Sequence, residues 1–446
     1  MRRGKTWLAG VSGVLAAAML SLAAAQDDEA RVVLISIDGL MPSSYTSADS
    51  ARLVPNLARL AAGGAYADGV VGVLPTVTYP SHTTLITGVT PARHGIYDNR
   101  ILDPENRSSA AWHWYARAIK VPTLPMAARA RGLRAAGVFW PVTVGMDLDY
   151  VLPEYARSRH PESLTMLRAL SWPRTFIDSV EHTRQRPFDW PLTDRDRTDF
   201  TTFLLRTVDP HVLLVHLIDL DTAQHEHGPG SREANEMLAR IDGYVGEIAE
   251  AVRSAGRADR THLVVVSDHG FLPLQQQVQP NAAFKREGLL RVNDRGDVVS
   301  WDAYFHSSGG AGFVYLRDPA VRPRVEAILR ALQADGKNGI REVWTAEELK
   351  SRGAHPEAAF GLDVVDGFYT SAAHDVVVKP STSRGGHGFA PDRTALHASF
   401  IIGGPSVQKR GSLGVIRMTS IAPTLAGILR VSLAPSDSPP LELGGK

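Results

Sequence analysis

The chain has 446 residues, of which 44% are hydrophobic and 21% charged, with a net charge of +1 and no cysteine. That length allows one large domain with insertions, or two domains. The charge balance excludes an electrostatic surface for nucleic-acid backbones, so a phosphate-bearing ligand has to be held locally. Without cysteine there are no disulfides and no lipid-bearing N-terminal cysteine.

Residues 1–25 read as a secretory signal peptide. Arg2, Arg3 and Lys5 precede an apolar run that closes on Ala23, Ala24 and Ala25, with cleavage expected after Ala25. The run is near the lower length limit for spanning a bilayer and acidic residues follow it, which favours cleavage over a retained anchor. A periplasmic or secreted location is expected. The oligomeric state is not readable.

Arg31–Ile37 is a continuous apolar run of strand length, as expected for a strand buried on both faces. Residues 55–62 read as a helix that stops at Gly63-Gly64. Further strand-like runs fall at 137–140, 212–218, 262–267 and 399–403, with helical patterns at 233–252 and 419–430. Alternating buried strands and helices predict an α/β fold with a mostly parallel sheet flanked by helices. Two stretches break the rhythm. Residues 150–191, rich in Arg, Pro and aromatics, read as an excursion from the core. Residues 272–383 carry shorter, more polar strands, including 312–317 and 375–379, and read as an inserted cap subdomain. The core then covers residues 26–271 and 384–433, and the Pro/Ser-rich tail 434–446 is expected to be loose.

Three of the apolar runs end in aspartate: Asp38, then Asp219 and Asp221, then Asp268. A lone strand-end aspartate is usually a cap or turn residue. In an open α/β sheet, however, ligands bind outside the carboxyl ends of the strands. Asp268-His269 pairs a carboxylate with an imidazole, and Asp221 and His225 repeat the pair four residues apart, a spacing that shares one helix face. His387 stands among glycines. Carboxylate and imidazole without thiolate suit Zn²⁺ best, with Mn²⁺ or Fe as alternatives. Thr78 lies in a turn-rich segment bracketed by Pro75 and Pro80, ahead of the apolar run 83–86. Such a threonine is ordinarily structural, and what singles it out is the recurrence of acids and imidazoles at strand ends.

The chain resembles the nucleotide pyrophosphatase/phosphodiesterase family of the alkaline phosphatase superfamily. The resemblance is carried by Asp38-Gly39, Pro75-Thr-x-Thr78-Tyr-Pro80, His94-Gly-Ile-x-Asp-Asn99, Phe139-Trp140-Pro141, Asp221-x-x-x-His225-x-x-Gly-Pro229, Ser267-Asp-His-Gly270, Gly386-His-Gly388 and Ile421-Ala-Pro-Thr-Leu425. It implies an alkaline-phosphatase-like core and two zinc ions. One would be held by Asp221, His225 and His387, the other by Asp38, Asp268, His269 and the Thr78 oxygen. Thr78 would be a covalent nucleophile, and Asn99 would donate to a phosphoryl oxygen, with the Thr78 N–H as a second donor. Tyr79, Phe139 and Trp140 are candidate substrate contacts. Ser81 and Gln224 stand where family members often carry asparagine and glycine, so both are candidates for altered substrate fit. Asp219, His216 and His227 are near-misses as ligands, while His82 and His94 are read as structural.

The resulting expectation is a two-zinc hydrolase of phosphodiester or pyrophosphate bonds in small, nucleotide-type substrates. A sulfatase is disfavoured, because its cysteine- or serine-derived formylglycine setting is missing. A phosphomonoesterase would need extra cationic groups, for which Arg157 and Arg159 are candidates. A carbon–phosphorus hydrolase and a phospholipid or choline-ester diesterase use comparable chemistry. The last would need an apolar or aromatic pocket, for which 112–115 and 139–155 are candidates, although the same aromatics could stack a nucleobase. A non-catalytic metal-binding protein is disfavoured because every ligand and the nucleophile are present.

Overall fold

The computed structural model describes residues 29–47, 50–108, 111–155 and 162–444. The signal-peptide reading of 1–25 and the two candidate cationic residues, Arg157 and Arg159, lie outside the described residues.

The fold is α/β. Its main sheet runs in the spatial order Gly411–Ser412, Ala65–Tyr66, Phe400–Gly403, Thr261–Val266, Arg31–Ile37, Val212–Leu217, Ala135–Val138, Tyr150–Leu152. From Thr261–Val266 to Tyr150–Leu152 the pairing is parallel, and Phe400–Gly403 adds antiparallel. Arg31–Ile37 is buried along its whole length. Val33, Ile35 and Ile37 point into one core beside Leu57, Phe200 and Leu238, and Val32 and Leu34 into the opposite one beside Leu85, Leu124 and Ile421. Helices cover both faces, so the strand sequence shows an unbroken apolar run rather than alternation.

Register then decides where the chain leaves the sheet. Ile37 lies opposite Leu217, and Ser36 opposite Val266. The three neighbouring strands therefore end at one edge, which sets Asp38, Asp268 and the helix Asp219–His227 side by side.

A second unit has its own core, with Phe284, Phe305, Phe313, Trp344 and Phe360 at its centre. Its antiparallel sheet has the order Ala303–Ser307, Ala311–Leu316, Phe360–Val364, Ile340–Thr345. Two links fix it to the main fold. The strand Leu272–Val278 pairs with Gly385–Gly386. The buried Asp363 carboxylate accepts the Ala390 N–H at 3.0 Å and pairs with Arg393.

Several elements differ from the sequence expectation. The strand expected at 137–140 is Ala135–Val138, because Phe139 and Val142 turn left-handed at φ 57° and 59° and leave the sheet. Part of the 150–191 stretch belongs to the main fold. Tyr150–Leu152 is the sheet's edge strand, and Phe176, Ile177, Val180 and Phe188 join the main core. The strand expected at 375–379 is Val378–Pro380. The tail is docked through residue 444: Asp437 accepts the Thr90 N–H at 2.7 Å, Leu441 donates to Thr424 Oγ1 at 2.7 Å, and Leu443 is buried. No helix among the described residues is long and apolar enough to cross a membrane.

Asp363→Ala removes the buried acceptor of the Ala390 N–H and one partner of Arg393, which keeps the exposed Asp366 and the Val364 carbonyl, so the cost is about 1–3 kcal/mol. Urea denaturation followed by tryptophan fluorescence is expected to show a loss of that size.

Candidate metal centre and substrate cavity

The sheet edge gathers two groups of potential ligand atoms: Asp38, Asp268 and His269, and Asp221, His269 and His387. His269 Nε2 lies 3.3 Å from Asp38 Oδ1 and 3.2 Å from Asp268 Oδ2. On the helix Asp219–His227, His225 Nε2 is 3.4 Å from Asp221 Oδ1, with His387 Nε2 at 3.7 Å. The far nitrogens are tethered by backbone carbonyls. His225 Nδ1 is 2.8 Å from the Gly385 oxygen and His387 Nδ1 is 3.0 Å from the Thr76 oxygen, which leaves each Nε2 facing the carboxylates.

Local turns fix the carboxylates. Gly39 sits at φ +71°, and a Cβ there would come within 2.7 Å of Gln224 Nε2 and the Phe271 ring, so the turn after Asp38 requires glycine. The Gly39 N–H donates to Asp268 Oδ1 at 3.2 Å. Gln224 is buried and donates to the Gly39 carbonyl at 3.0 Å, so it ties the ligand helix to this turn. Neither Gln224 nor the buried Ser81 lines the cavity described below. Asp219 faces away from the ligand groups: it pairs with Arg197 at 3.2 Å and accepts the Asp194 N–H at 2.9 Å. Asp194 in turn accepts the N–H groups of Ile218 and Asp219, which pins the start of the helix.

The electrostatics are those of a pocket short of positive charge. Burial raises the Asp38 carboxyl well above its usual range, with Asp268 and Asp221 adding to the effect. Burial pushes Asp268 up to about 7. The imidazole of His269 is pushed down by burial and by neighbouring imidazoles, and His387 falls to about 4. Asp38 Oδ1, Asp221 Oδ1, Asp268 Oδ2 and His269 Nε2 are buried without a hydrogen-bond partner. These are the atoms that converge, and such orphans are costly unless something binds them. A carboxylate–imidazole set of this kind fits Zn²⁺, Mn²⁺ or Fe.

Thr78 opens a ten-residue helix, Thr78–Thr87, in which every residue is buried. The sequence pattern suggested a turn at Thr78, and the structure starts a helix there. The segment is gripped on both sides. His387 holds the Thr76 carbonyl, and His82 Nδ1 lies 2.8 Å from the Thr78 carbonyl and 3.7 Å from Asp268 Oδ2. His94 bonds Thr84 Oγ1 at 3.1 Å and accepts the Ile96 N–H at 3.1 Å. Asn99 Oδ1 accepts the Tyr79 N–H at 2.8 Å. Its oxygen is thereby engaged, and its amide N–H groups are left for the cavity that it lines.

That cavity, about 950 Å³, runs from Val77, Asn99, His225 and His387 outward between residues 98–112 and the second unit. Ser307, Ser308, Thr370, Ser371, Thr382 and Ser383 make one wall hydrophilic. Tyr79, Phe139 and Trp140, expected to touch substrate, do not line it. Tyr79 and Trp140 are 0% exposed and Phe139 is 3% exposed, with the Arg197 guanidinium 4.5 Å from the Phe139 ring centre. Trp112, Tyr304 and Tyr369 are the aromatic side chains on its lining. Reading the sequence did not find Glu154, and left His216 as a near-miss. His216 Nε2 is 3.1 Å from Asp38 Oδ2 and its Nδ1 is 3.2 Å from Glu154 Oε2. Burial alone would lower this imidazole, but the two carboxylates push it up to about 10. A histidine inside an otherwise apolar strand is the one signal the sequence offers.

Comparison with known proteins gives this site a setting. The chain is 25% identical over 230 residues to human ectonucleotide pyrophosphatase/phosphodiesterase family member 1, covering 49% of this chain and 21% of that protein. It is 25% identical over 435 residues to the venom phosphodiesterase of Naja atra, covering 92% of this chain and 45% of that protein. The chain thus spans less than half the length of either relative. The structure of human ectonucleotide pyrophosphatase/phosphodiesterase 5 matches with a TM-score of 0.66 at 16% identity, covering 91% of this chain and 96% of that one. An inactive murine form of the same protein, in complex with AMP, matches with the same TM-score. At that identity the likeness is one of fold, and the fold is alkaline-phosphatase-like. The pattern of the family described as type I phosphodiesterase / nucleotide pyrophosphatase matches residues 32–372, most of the chain, and the chain belongs to that family.

Proposed function

We propose that the chain is an exported, metal-dependent hydrolase that cleaves phosphodiester or pyrophosphate bonds in nucleotide-type substrates, with Thr78 as nucleophile. The observation that carries this reading is the convergence of unbonded carboxylate and imidazole atoms at one sheet edge, beside the first turn of the Thr78 helix. Asp221, His225 and His387 would hold one ion. Asp38, Asp268, His269 and the Thr78 hydroxyl would hold the other. His269 is within reach of both groups, and its distances of 3.3 Å and 3.2 Å to Asp38 and Asp268 favour the second. Two Zn²⁺ ions bound there lower the pKa of a coordinated hydroxyl and offset the charge on phosphoryl oxygens.

The chain's own residues supply the rest. Thr78 Oγ1 releases its proton to solvent and attacks phosphorus in line, a P–O bond to threonine forms, and the P–O bond to the leaving group breaks, its oxygen keeping the electron pair and taking a proton from water. Water then attacks the same phosphorus and releases threonine, whose oxygen regains a proton. The Asn99 amide and the Thr78 N–H, which has no partner within its helix, hold non-bridging oxygens through both steps. The hydrophilic wall favours a nucleotide or another hydrophilic group over an acyl chain. The murine relative in complex with AMP supports a nucleotide in particular. Export rests on the basic, apolar and small-residue order of the first 25 residues.

With zinc supplied, bis(4-nitrophenyl) phosphate is expected to turn over faster than 4-nitrophenyl phosphate. Thr78→Ala is expected to cut the diester rate by about 10³-fold or more. Preference for the monoester would replace this reading with a phosphatase. A separate check counts metal in purified protein. Asp221→Asn is expected to lower bound zinc from two ions to one, while Asp219→Asn, whose carboxylate faces Arg197, keeps both.

A further inference from the structure

We infer that Glu154 and His216 form a positioning clamp on Asp38 that sets the affinity of one metal site and leaves the other untouched. The inference rests on the metal-dependent reading above.

His216 sits on the strand Val212–Leu217, directly beside Ser36 on the neighbouring strand, and is 0% exposed. Its Nε2 meets Asp38 Oδ2 at 3.1 Å. Its Nδ1 meets Glu154 Oε2 at 3.2 Å and the Phe139 carbonyl at 3.3 Å. All three partners are oxygen atoms, so hydrogen bonds hold the ring at both nitrogens. One oxygen of Asp38 is thereby fixed, and the other, Oδ1, is left facing His269 without a hydrogen bond. A carboxylate held in this way presents a single ligand atom in a set direction.

The clamp is braced from behind. Glu154 Oε1 accepts the Tyr79 hydroxyl at 3.0 Å, and the Tyr79 N–H is held by Asn99. The His82 ring centre lies 4.2 Å from that of His216, and the Trp140 ring packs edge-on against His82 at 4.8 Å. Asp38 therefore cannot turn unless His216, Glu154 and Tyr79 move with it. The same chain of bonds joins the phosphate-facing Asn99 to the Asp38 ligand. Asp221 lies outside this chain of hydrogen bonds: its ion-pair partners are His225 and His387, and the charge of His216 reaches it only as the weakest of its neighbours' effects. Groups that orient a metal ligand from behind change metal affinity by roughly 10–100-fold when removed.

The test is a zinc-competition titration against a chromophoric chelator, on wild type, Glu154→Gln, His216→Gln and Tyr79→Phe, with the metal-free melting midpoint checking that each is folded. Glu154→Gln and His216→Gln are expected to weaken one of the two zinc sites by about 10–100-fold and to leave the second within about threefold. Tyr79→Phe is expected to weaken the same site by less. A general loosening of the fold would weaken both sites together, and that result overturns the clamp. So do folded variants in which both affinities are unchanged. If wild type itself takes up no zinc, the functional reading falls and the clamp falls with it. If wild type binds two ions and all three variants match it, the clamp alone is wrong.

Discussion

Two buried carboxylates, Asp38 and Asp268, at the ends of neighbouring strands face the partly buried Asp221 on the helix that follows a third strand, and the rest of the site is arranged around that repulsion. Each raises the cost of ionising the others, which is why burial and mutual charge push Asp38 and Asp268 upward. The chain supplies part of the compensation itself. His216 donates to Asp38, and the imidazoles of His225 and His387 hold Asp221 below its usual range despite its burial. What remains are oxygen and nitrogen atoms with no partner in the chain, facing one another across distances that a divalent cation spans. A fold keeps such a cluster only where something other than stability requires it.

The surrounding devices are ways of holding these groups still. The Asp38–Gly39 turn is locked by Gln224 from one side and Asp268 from the other. The buried Asp194–Arg197 pair, with the partly exposed Asp219, pins the first turn of the helix that carries Asp221 and His225. His387 and His82 hold the backbone carbonyls on either side of Val77, so the Thr78 segment is referenced to the carboxylates by direct bonds. The second unit is anchored through Asp363 to the loop just after His387. The hydrophilic wall it contributes is therefore a fixed side of the cavity, continuous with the packing of the ligand loop.

Much of this was legible in the sequence, for a physical reason. Strands buried on both faces read as unbroken apolar runs, and the first polar residue after each run marks the sheet edge where ligands gather. Asp38 and Asp268, with His269 beside it, could be read in that way, whereas the first polar residue after 212–218 is Asp219, which pairs with Arg197, and Asp221 is marked by its four-residue spacing to His225. The helix at Thr78 could not, because it is buried on all sides and rich in threonine and proline, so it shows neither a periodic apolar face nor strong helix formers. The aromatic residues misled for a related reason. Tyr79 follows Thr78 in sequence, and Phe139 and Trp140 belong to a motif that carries the family resemblance, but all three spend their surface on packing, and the Arg197 guanidinium lies over the Phe139 ring. The partnership of His216 and Glu154 spans 62 positions and crosses from a central strand to a loop, beyond any local pattern.

Gln224 shows how the same constraint shapes a departure from the family pattern. Glycine is common at this position in the family, and a longer side chain one residue before a candidate ligand, His225, reads naturally as a change in substrate selectivity. Its amide instead lies against Gly39, within 2.7 Å of where a Cβ would stand, and donates to the Gly39 carbonyl. The two residues occupy one space: the glutamine fits because residue 39 has no side chain, and the turn gains a buried bond that a glycine at 224 could not make. The substitution thus acts on the placement of Asp38. The cavity itself is lined along 98–112 and by the second unit, where Trp112, His306 and Tyr369 face the open space beyond Asn99.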